Sequence, residues 1–520
     1  MGRYRRRRHD EPPVPDSLGG VARRGAALSA ITLILVQGVS LGSTLVIARL
    51  LSPEEVGLYA AGVVLSGFIV VFAEGGLRSA LVQRQHDVPD AADTVFYATS
   101  VSGIVLSLLA LAAAPLVGWL FDNPDAAKIA AATSGMLLMH ALTSVPDGLM
   151  MRRFNFKRRL IIDPAKAVAY GAVTITFAAL GYGVWSLVIG NYASMTVWLV
   201  GTWAMARWRP GRGRASVTLW REMARFAYPL VGWSLSMLTR QAVQTVMLGR
   251  GLGEAALGQY RYGRRLGDLP GHAVVQIGSF VIFPAFSRMV DEPERFRRGF
   301  FRALRWIWFG AVPFTGILLA LGQPVVIVLL GERWREAGVL LVAMAGVGAC
   351  RALQEVAGEA MKAAGRSNRL HYLSVLELVL GIGLLAALLP FGLLGVGLAI
   401  FGMEVVIAAV ALGLARSVIG CTGRDLVATL LPAGVATATA FAVVGPCEWF
   451  VARSAERGTT LGILTLAGLT LLFGLIYLLA LRVLDPSIVA DVLADGRRVL
   501  SRRRASGDAG SHSGDATEPG

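Results

Sequence analysis

The sequence predicts an all-α polytopic membrane protein, and three observations carry that prediction. Of 520 residues, 55% are hydrophobic and only 16% charged, with a mean hydropathy of +0.59, too apolar for a soluble domain. The apolar residues gather into about 14 runs of bilayer-crossing length. The arginines sit mainly between those runs. A formal charge of +16 could suggest nucleic acid, but arginines placed this way are cytoplasmic anchors of membrane helices. No nucleic-acid partner is expected.

In chain order the runs cover 26–47, 57–81, 94–120, 127–150, 160–180, 183–206, 222–248, 266–289, 303–330, 337–361, 370–390, 393–415, 427–446 and 460–482. Each approaches the ~20 residues that cross ~30 Å of hydrocarbon, and the longer ones allow tilt. A basic head, Arg3 to Arg8, precedes the first run as in a signal peptide. That run is long enough to span and many others follow, so it is expected to be a retained helix. Residues 255–289 could hold an interfacial piece before the helix proper. Inside segments carry about 35 Lys and Arg and outside loops about 7, which places both termini in the cytoplasm.

The second run opens with a polar turn, Leu51-Ser52-Pro53-Glu54-Glu55, that returns later in the chain. Arg49, Leu51, Gly57, Tyr59, Gly62 and Leu65 match Arg250, Leu252, Gly258, Tyr260, Gly263 and Leu266 at a constant offset of 201 residues. The match in register points to duplication. The copies lie an even number of spans apart, so the halves are parallel, related by an axis along the membrane normal. The expected organisation is a basic cytoplasmic tail (1–24), an N-lobe of spans 1–6 (25–206) and a cytoplasmic linker (207–221). A C-lobe of spans 7–12 (222–420), spans 13 and 14 (421–484) and a disordered cytoplasmic tail (485–520) complete it.

Chemistry in such a chain is sought among polar residues inside the spans, because a charge at mid-bilayer needs a cavity or a partner. Glu74/Arg78, Arg264/Asp268 and Arg351/Glu355 are spaced i,i+4 and Asp163/Lys166 i,i+3, so each pair can neutralise itself along one helix. Arg225 and Lys166 also lie close enough to the cytoplasm to snorkel. Arg240 has no acidic residue at those spacings and is followed by Gln241 and Gln244, so it can face a cavity. Arg261, Arg264 and Arg265 with Tyr260 and Tyr262 form a basic-aromatic cluster on a side expected to be outside. Such a cluster either anchors a helix end or chelates phosphate while its tyrosines stack on sugars. Glu377 and Glu404 lack a basic neighbour on their own helix and are candidates for a coupling-ion or proton site. His140 and His272 are lone imidazoles expected to pack.

Enzyme machinery is not found. The chain has no G-x-x-x-x-G-K-[ST], D-x-D or H-E-x-x-H. Cys350, Cys421 and Cys447 are far apart and give neither a metal spacing nor a disulfide framework. No catalytic residue, cofactor or metal is expected. Gly38-x3-Gly42 reads as close helix packing.

Three stretches, ARLLSPEEVGLY at 48–59, FAEGGLRSALVQR at 72–84, and GQYRYGRRLGDLP at 258–270 with VIFPAFSRM at 281–289, resemble the polysaccharide-transporter flippases. These belong to the multidrug/oligosaccharidyl-lipid/polysaccharide (MOP) exporter superfamily, and the resemblance extends over roughly residues 25–420. It implies a MOP flippase-like fold that moves a polyprenyl-pyrophosphate-linked oligosaccharide from the cytoplasmic to the outer leaflet by alternating access. The place would be the plasma (inner) membrane and the use cell-surface polysaccharide. Arg240, then Arg261, Arg264 and Arg265 with Tyr260 and Tyr262, then Arg78 and Arg351, are the pyrophosphate and sugar candidates. Glu377 and Glu404 are the coupling-ion candidates. The implied protein is a monomer, with a polysaccharide polymerase or glycosyltransferases as candidate partners. Two other classes remain open: an ion-coupled multidrug exporter of the same superfamily, expected to have an acidic cavity, and a membrane polymerase or ligase of lipid-linked sugars, expected to have a large outside loop.

Overall fold

The computed structural model describes residues 18–74, 76–152, 156–366 and 368–487. Most of both expected tails falls outside these residues, and the side chains of Glu74 and His272 fall outside the described side chains. Every regular element among the described residues is helical. Helices satisfy their own backbone polar groups, which hydrocarbon cannot do for them. Ten helical segments among the described residues are long and apolar enough to cross a membrane, from Pro53–Gln83 to Thr459–Leu484. This is a multi-pass membrane protein.

The chain divides into two compact units, Met1–Ala242 and Val243–Gly520. In the first, α1 (Leu18–Leu50) is followed by α2 (Pro53–Gly62), α3 (Val64–Glu74) and α4 (Leu77–Gln83), then α5 (Val88–Ala112) and α6 (Ala114–Phe121). Next come α7 (Pro124–Thr133), α8 (Gly135–Arg152), α9 (Phe156–Ala179), α10 (Val184–Ala206) and the start of α11 (Val217–Ser287). Leu81, Ala91, Val95, Val145 and Ile162 pack its core, with Trp198 and Trp208 closing it.

Local sequence explains the helix starts. Ser52 caps α2: its hydroxyl accepts the N–H of Glu55 while the Glu55 carboxylate accepts the N–H of Ser52, with Pro53 in the first turn. This is a reciprocal capping box, and it fixes the turn seen in the sequence. Several runs expected as single spans are kinked, although 57–81 and 127–150 each stay within one membrane-length segment, Pro53–Gln83 and Pro124–Arg152. Residues 57–81 divide at Val63 and at Gly76, which takes φ +67°; 94–120 divides at Ala113 and 127–150 at Ser134. Hydropathy reports which residues avoid water, not where the backbone kinks.

The second unit takes α11 through a break at Gly253, where φ is +87°. The helix then continues to Ser287. Then follow α12 (Pro293–Leu330), α13 (Arg335–Ala343), α14 (Val347–Ala363) and α15 (Asn368–Leu388). A 3-10 turn at Leu389–Phe391 leads into α16 (Gly392–Ile419), α17 (Gly423–Pro446) and α18 (Thr459–Leu484). Phe286, Phe300, Val356 and Met403 lie in one core cluster. A second cluster joins α12 to α17 and α18 through Leu321, Ala436 and Phe473. The last two helices therefore pack on α12.

Candidate functional site

A poorly exposed polar arrangement in the second unit runs across α11, α14 and α16. Arg264 sits one helical turn after Tyr260 and one before Asp268, so the three share a face. Its guanidinium donates to the Tyr260 hydroxyl, to Asp268 Oδ2 at 3.4 Å and to Gln244 Oε1 at 3.3 Å, across the break at Gly253. The other Asp268 oxygen accepts from Arg351 Nη1 at 2.9 Å, and Arg351 Nε donates to Glu404 Oε1 at 2.9 Å. Gln354, one turn after Arg351 on a shared face less one residue, donates to Glu404 Oε2 at 2.8 Å. The result is Arg264–Asp268–Arg351–Glu404, two cations alternating with two carboxylates.

The Glu404 side chain is 3% exposed and those of Arg264, Asp268 and Arg351 18–26%. Charges this poorly hydrated are tolerable because each has an opposite charge in reach. The arrangement is neutral as a whole but easily unbalanced. A phosphate arriving at Arg264 or Arg351 competes with a carboxylate already there, and a proton on either carboxylate frees a guanidinium fork.

The sequence expectations are redistributed. The Arg264–Asp268 pair is present along its own helix. The Arg351/Glu355 pairing is replaced: Arg351 turns across the helices to Asp268 and Glu404. Glu404, without a basic residue on its own helix, finds one on α14. The cluster expected at 260–265 is divided by helical periodicity. Tyr260 and Arg264 point into the relay, whereas Arg261 and Arg265 are exposed. Tyr262 is buried against Trp334, ring centroids 4.4 Å apart, so it is a packing residue. Glu377 is half-buried on α15. Arg240 lies one turn before Gln244 on α11 and is 8% exposed.

The first unit holds a smaller counterpart. Arg78 Nη1 donates to Asp147 Oδ2 at 3.2 Å, across from α4 to α8. Gly148 leaves room for it, since a Cβ there would lie 3.2 Å from Arg78 Cγ. Lys166 places its ammonium 4.0 Å from the centre of the Trp198 ring, and His140 packs edge-on against the same ring at 5.1 Å. Asp147 and Gln354 were missed in the sequence. Asp147 had a signal, Pro146-Asp147-Gly148 inside an apolar run, and Gln354 had none. Among the described residues no group of three His, Cys, Asp or Glu side chains could hold a metal ion.

Comparison with known proteins now bears on this arrangement. The succinoglycan biosynthesis transport protein ExoT of Rhizobium meliloti (strain 1021) is 28% identical over 294 residues, 56% of this chain and 59% of ExoT. The match thus spans less than two thirds of that relative. Among solved structures, the lipid II flippase MurJ in an inward closed conformation superposes with a TM-score of 0.72 at 14% identity, covering 88% of this chain and 99% of MurJ. An inward-facing multidrug resistance MATE family transporter of the MOP superfamily gives 0.61 at 15% identity, over 76% and 98%. At such identities the likeness speaks for the fold alone: all-helical, and of the kind MurJ and MATE transporters share. The family model described as "Polysaccharide biosynthesis protein" matches residues 46–338, over half of the chain. The chain belongs to that polysaccharide biosynthesis family.

Proposed function

We propose that this protein flips a polyprenyl-pyrophosphate-linked oligosaccharide from the cytoplasmic to the outer leaflet of the plasma membrane, supplying cell-surface polysaccharide synthesis. The observation that carries the reading is a set of poorly exposed arginines, Arg240 and Arg264 on α11 and Arg351 within the membrane-length segment Glu332–Ala363, in a polysaccharide biosynthesis family member. Guanidinium forks suit the oxygens of a pyrophosphate. A cationic drug would instead call for surplus carboxylates.

In this reading the chain has fourteen spans: two six-helix lobes, 25–206 and 222–420, joined by the linker 207–221, then two helices at 421–484. Both termini are cytoplasmic, and transport proceeds by alternating access in a monomer. Arg240, Arg264 and Arg351 meet the pyrophosphate in turn. Arg261 and Arg265 receive it at the exposed face, Tyr260 lines its sugar end, and Arg78 serves the first lobe. Glu404, with Glu377, takes the coupling ion: when phosphate draws Arg351 away, Glu404 is left to bind a proton or cation. The protein performs translocation and no covalent chemistry, and it works beside a polymerase or glycosyltransferases.

Leaflet accessibility in depleted cells tests this. Spheroplasts are probed with a membrane-impermeant lectin or hydrolase against the lipid-linked oligosaccharide. Depletion is expected to strand the oligosaccharide in the inner leaflet. Wild type should restore exposure, Arg240→Ala should fail, and Arg240→Lys should restore part of it. Unchanged outer-leaflet oligosaccharide in cells that become drug-sensitive would replace the flippase by the multidrug exporter, whose fold is also shared.

A further inference from the structure

Residues 207–216 lie between α10 and α11 and carry no helix, yet they are fastened at both ends. The carboxylate of Asp93, in α5 and fully buried, accepts the backbone N–H of Gly211 at 3.1 Å and of Gly213 at 2.6 Å. Asp90 Oδ1 accepts the N–H of Arg214 at 2.8 Å, and Thr94 Oγ1 accepts that of Ser216 at 3.1 Å. Gly211 takes φ +87°, and a Cβ on Gly213 would stand 2.4 Å from the Pro89 carbonyl, an approach only glycine permits. At the other end Trp208 is buried, edge-on to Phe96 at 5.4 Å and beside Trp203 at 5.9 Å.

A segment pinned by its backbone and one indole leaves its other side chains facing out. Arg207, Arg209, Arg212 and Arg214 are all exposed. The position is telling: α10 ends at Ala206 and α5 begins at Val88, and both are membrane-length helices, so the segment lies where they leave the bilayer. The pattern continues into α11, where exposed Val217, Trp220 and Phe226 are interspersed with exposed Arg221, Glu222 and Arg225. Apolar and cationic side chains intermixed in this way suit the boundary between hydrocarbon and headgroups.

We propose that residues 207–226 form a folded cationic strap that docks on the anionic phospholipid headgroups of the adjoining leaflet. The arginines are spread along an exposed strip. Convergent donors around a hollow would mark a site for one pyrophosphate; a strip of separate guanidiniums suits many headgroups at once. The inference is independent of what the protein carries.

The test uses the purified full chain in detergent micelles, titrated with phosphatidylglycerol or phosphatidylcholine while thermal unfolding is followed. Wild type is expected to gain stability with phosphatidylglycerol and not with phosphatidylcholine. The fourfold variant R207Q/R209Q/R212Q/R214Q, which keeps the backbone contacts to Asp90, Asp93 and Thr94, should need about tenfold more phosphatidylglycerol for the same gain. Asp93→Asn keeps every arginine but weakens the fastening, and should fall between the two. Should the fourfold variant fail to fold, about 0.5 M NaCl on the wild type gives the second measurement and should abolish the gain. An unchanged titration in the fourfold variant, or a gain that resists salt, overturns the proposal. Asp93→Asn matching wild type removes the folded strap from it. A polyprenyl pyrophosphate saturating the arginine-dependent gain at concentrations where phosphatidylglycerol has no effect would assign the arginines to the transported lipid instead.

Discussion

The two copies of the sequence repeat, 49–65 and 250–266, are alike in what they pack and unlike in what they charge. Gly62 and Gly263 occupy the same register, and each lies under a neighbouring helix. A Cβ would stand 2.4 Å from Ile129 Cγ2 in the first copy and 2.7 Å from the Ala337 carbonyl oxygen in the second. Tyr59 and Tyr260 are both buried. The Tyr59 hydroxyl bonds the Asn191 amide at 2.5 Å, whereas the Tyr260 hydroxyl bonds Arg264. Around them the chemistry diverges: Ala60, Val63, Val64 and Gly67 of the first copy stand where the second has Arg261, Arg264, Arg265 and Asp268. The repeated residues are those that set helix approach. The residues that depart from the repeat carry the ion-pair relay, so function is to be sought in the departures.

The relay gives the largest expected effect. Arg351→Ala leaves Glu404 and one oxygen of Asp268 without their cation, and should destabilise the protein by about 3–5 kcal/mol, read as a fall in unfolding temperature of the purified chain. Arg351→Met combined with Glu404→Met should recover most of that loss, because a packed apolar pair needs no charge partner. If the single change leaves stability untouched, the second copy's charges lie outside its structural frame and the contrast between the copies weakens.

The glycines come next. Overpacking is expected to cost about 1–3 kcal/mol in each copy, with Gly263→Ala worse than Gly62→Ala. At Gly263 the obstacle is a backbone carbonyl, which moves only with its helix; at Gly62 it is the Ile129 side chain. Equal losses in both would show that the second crossing is as yielding as the first. The tyrosines sharpen the comparison further. Tyr260→Phe removes a bond to a charged group and should cost about 1.5 kcal/mol or more, against about 1 kcal/mol for Tyr59→Phe.

What the sequence revealed follows the same division. The apolar runs, the turn at 51–55 and the repeat were legible because each rests on local periodicity or local turn chemistry. Arg264–Asp268 was legible as well, being one helical turn. Arg351 with Glu404, and Arg78 with Asp147, were not: periodicity names neighbours on one helix and says nothing of the helix alongside. The breaks at Val63, Ala113 and Ser134 escaped for a related reason, since an apolar residue looks the same on either side of a kink. Asp93 escaped because its partners are backbone N–H groups, which every sequence supplies and none displays.

The smallest expected effect concerns how each copy turns into its helix. Ser52 and Gly253 hold the same position in the repeat. The first closes its turn with a side-chain cap, the second by adopting φ +87°. Ser52→Ala removes the hydroxyl that accepts the Glu55 N–H and should cost about 1 kcal/mol. Ser52→Gly, the residue native to the second copy, should cost only a few tenths of a kcal/mol, because glycine lets the backbone and water take over the cap. Gly253→Ala has no such escape, since its backbone sits in a region that L residues avoid, and it should cost about 1–3 kcal/mol. Thermal unfolding of the three variants therefore tests a direction as well as a size: glycine replaces serine in the first turn, but nothing with a side chain replaces glycine in the second. If Gly253→Ala is as mild as Ser52→Gly, the second turn can relax to an ordinary cap, and the two copies differ in charge alone.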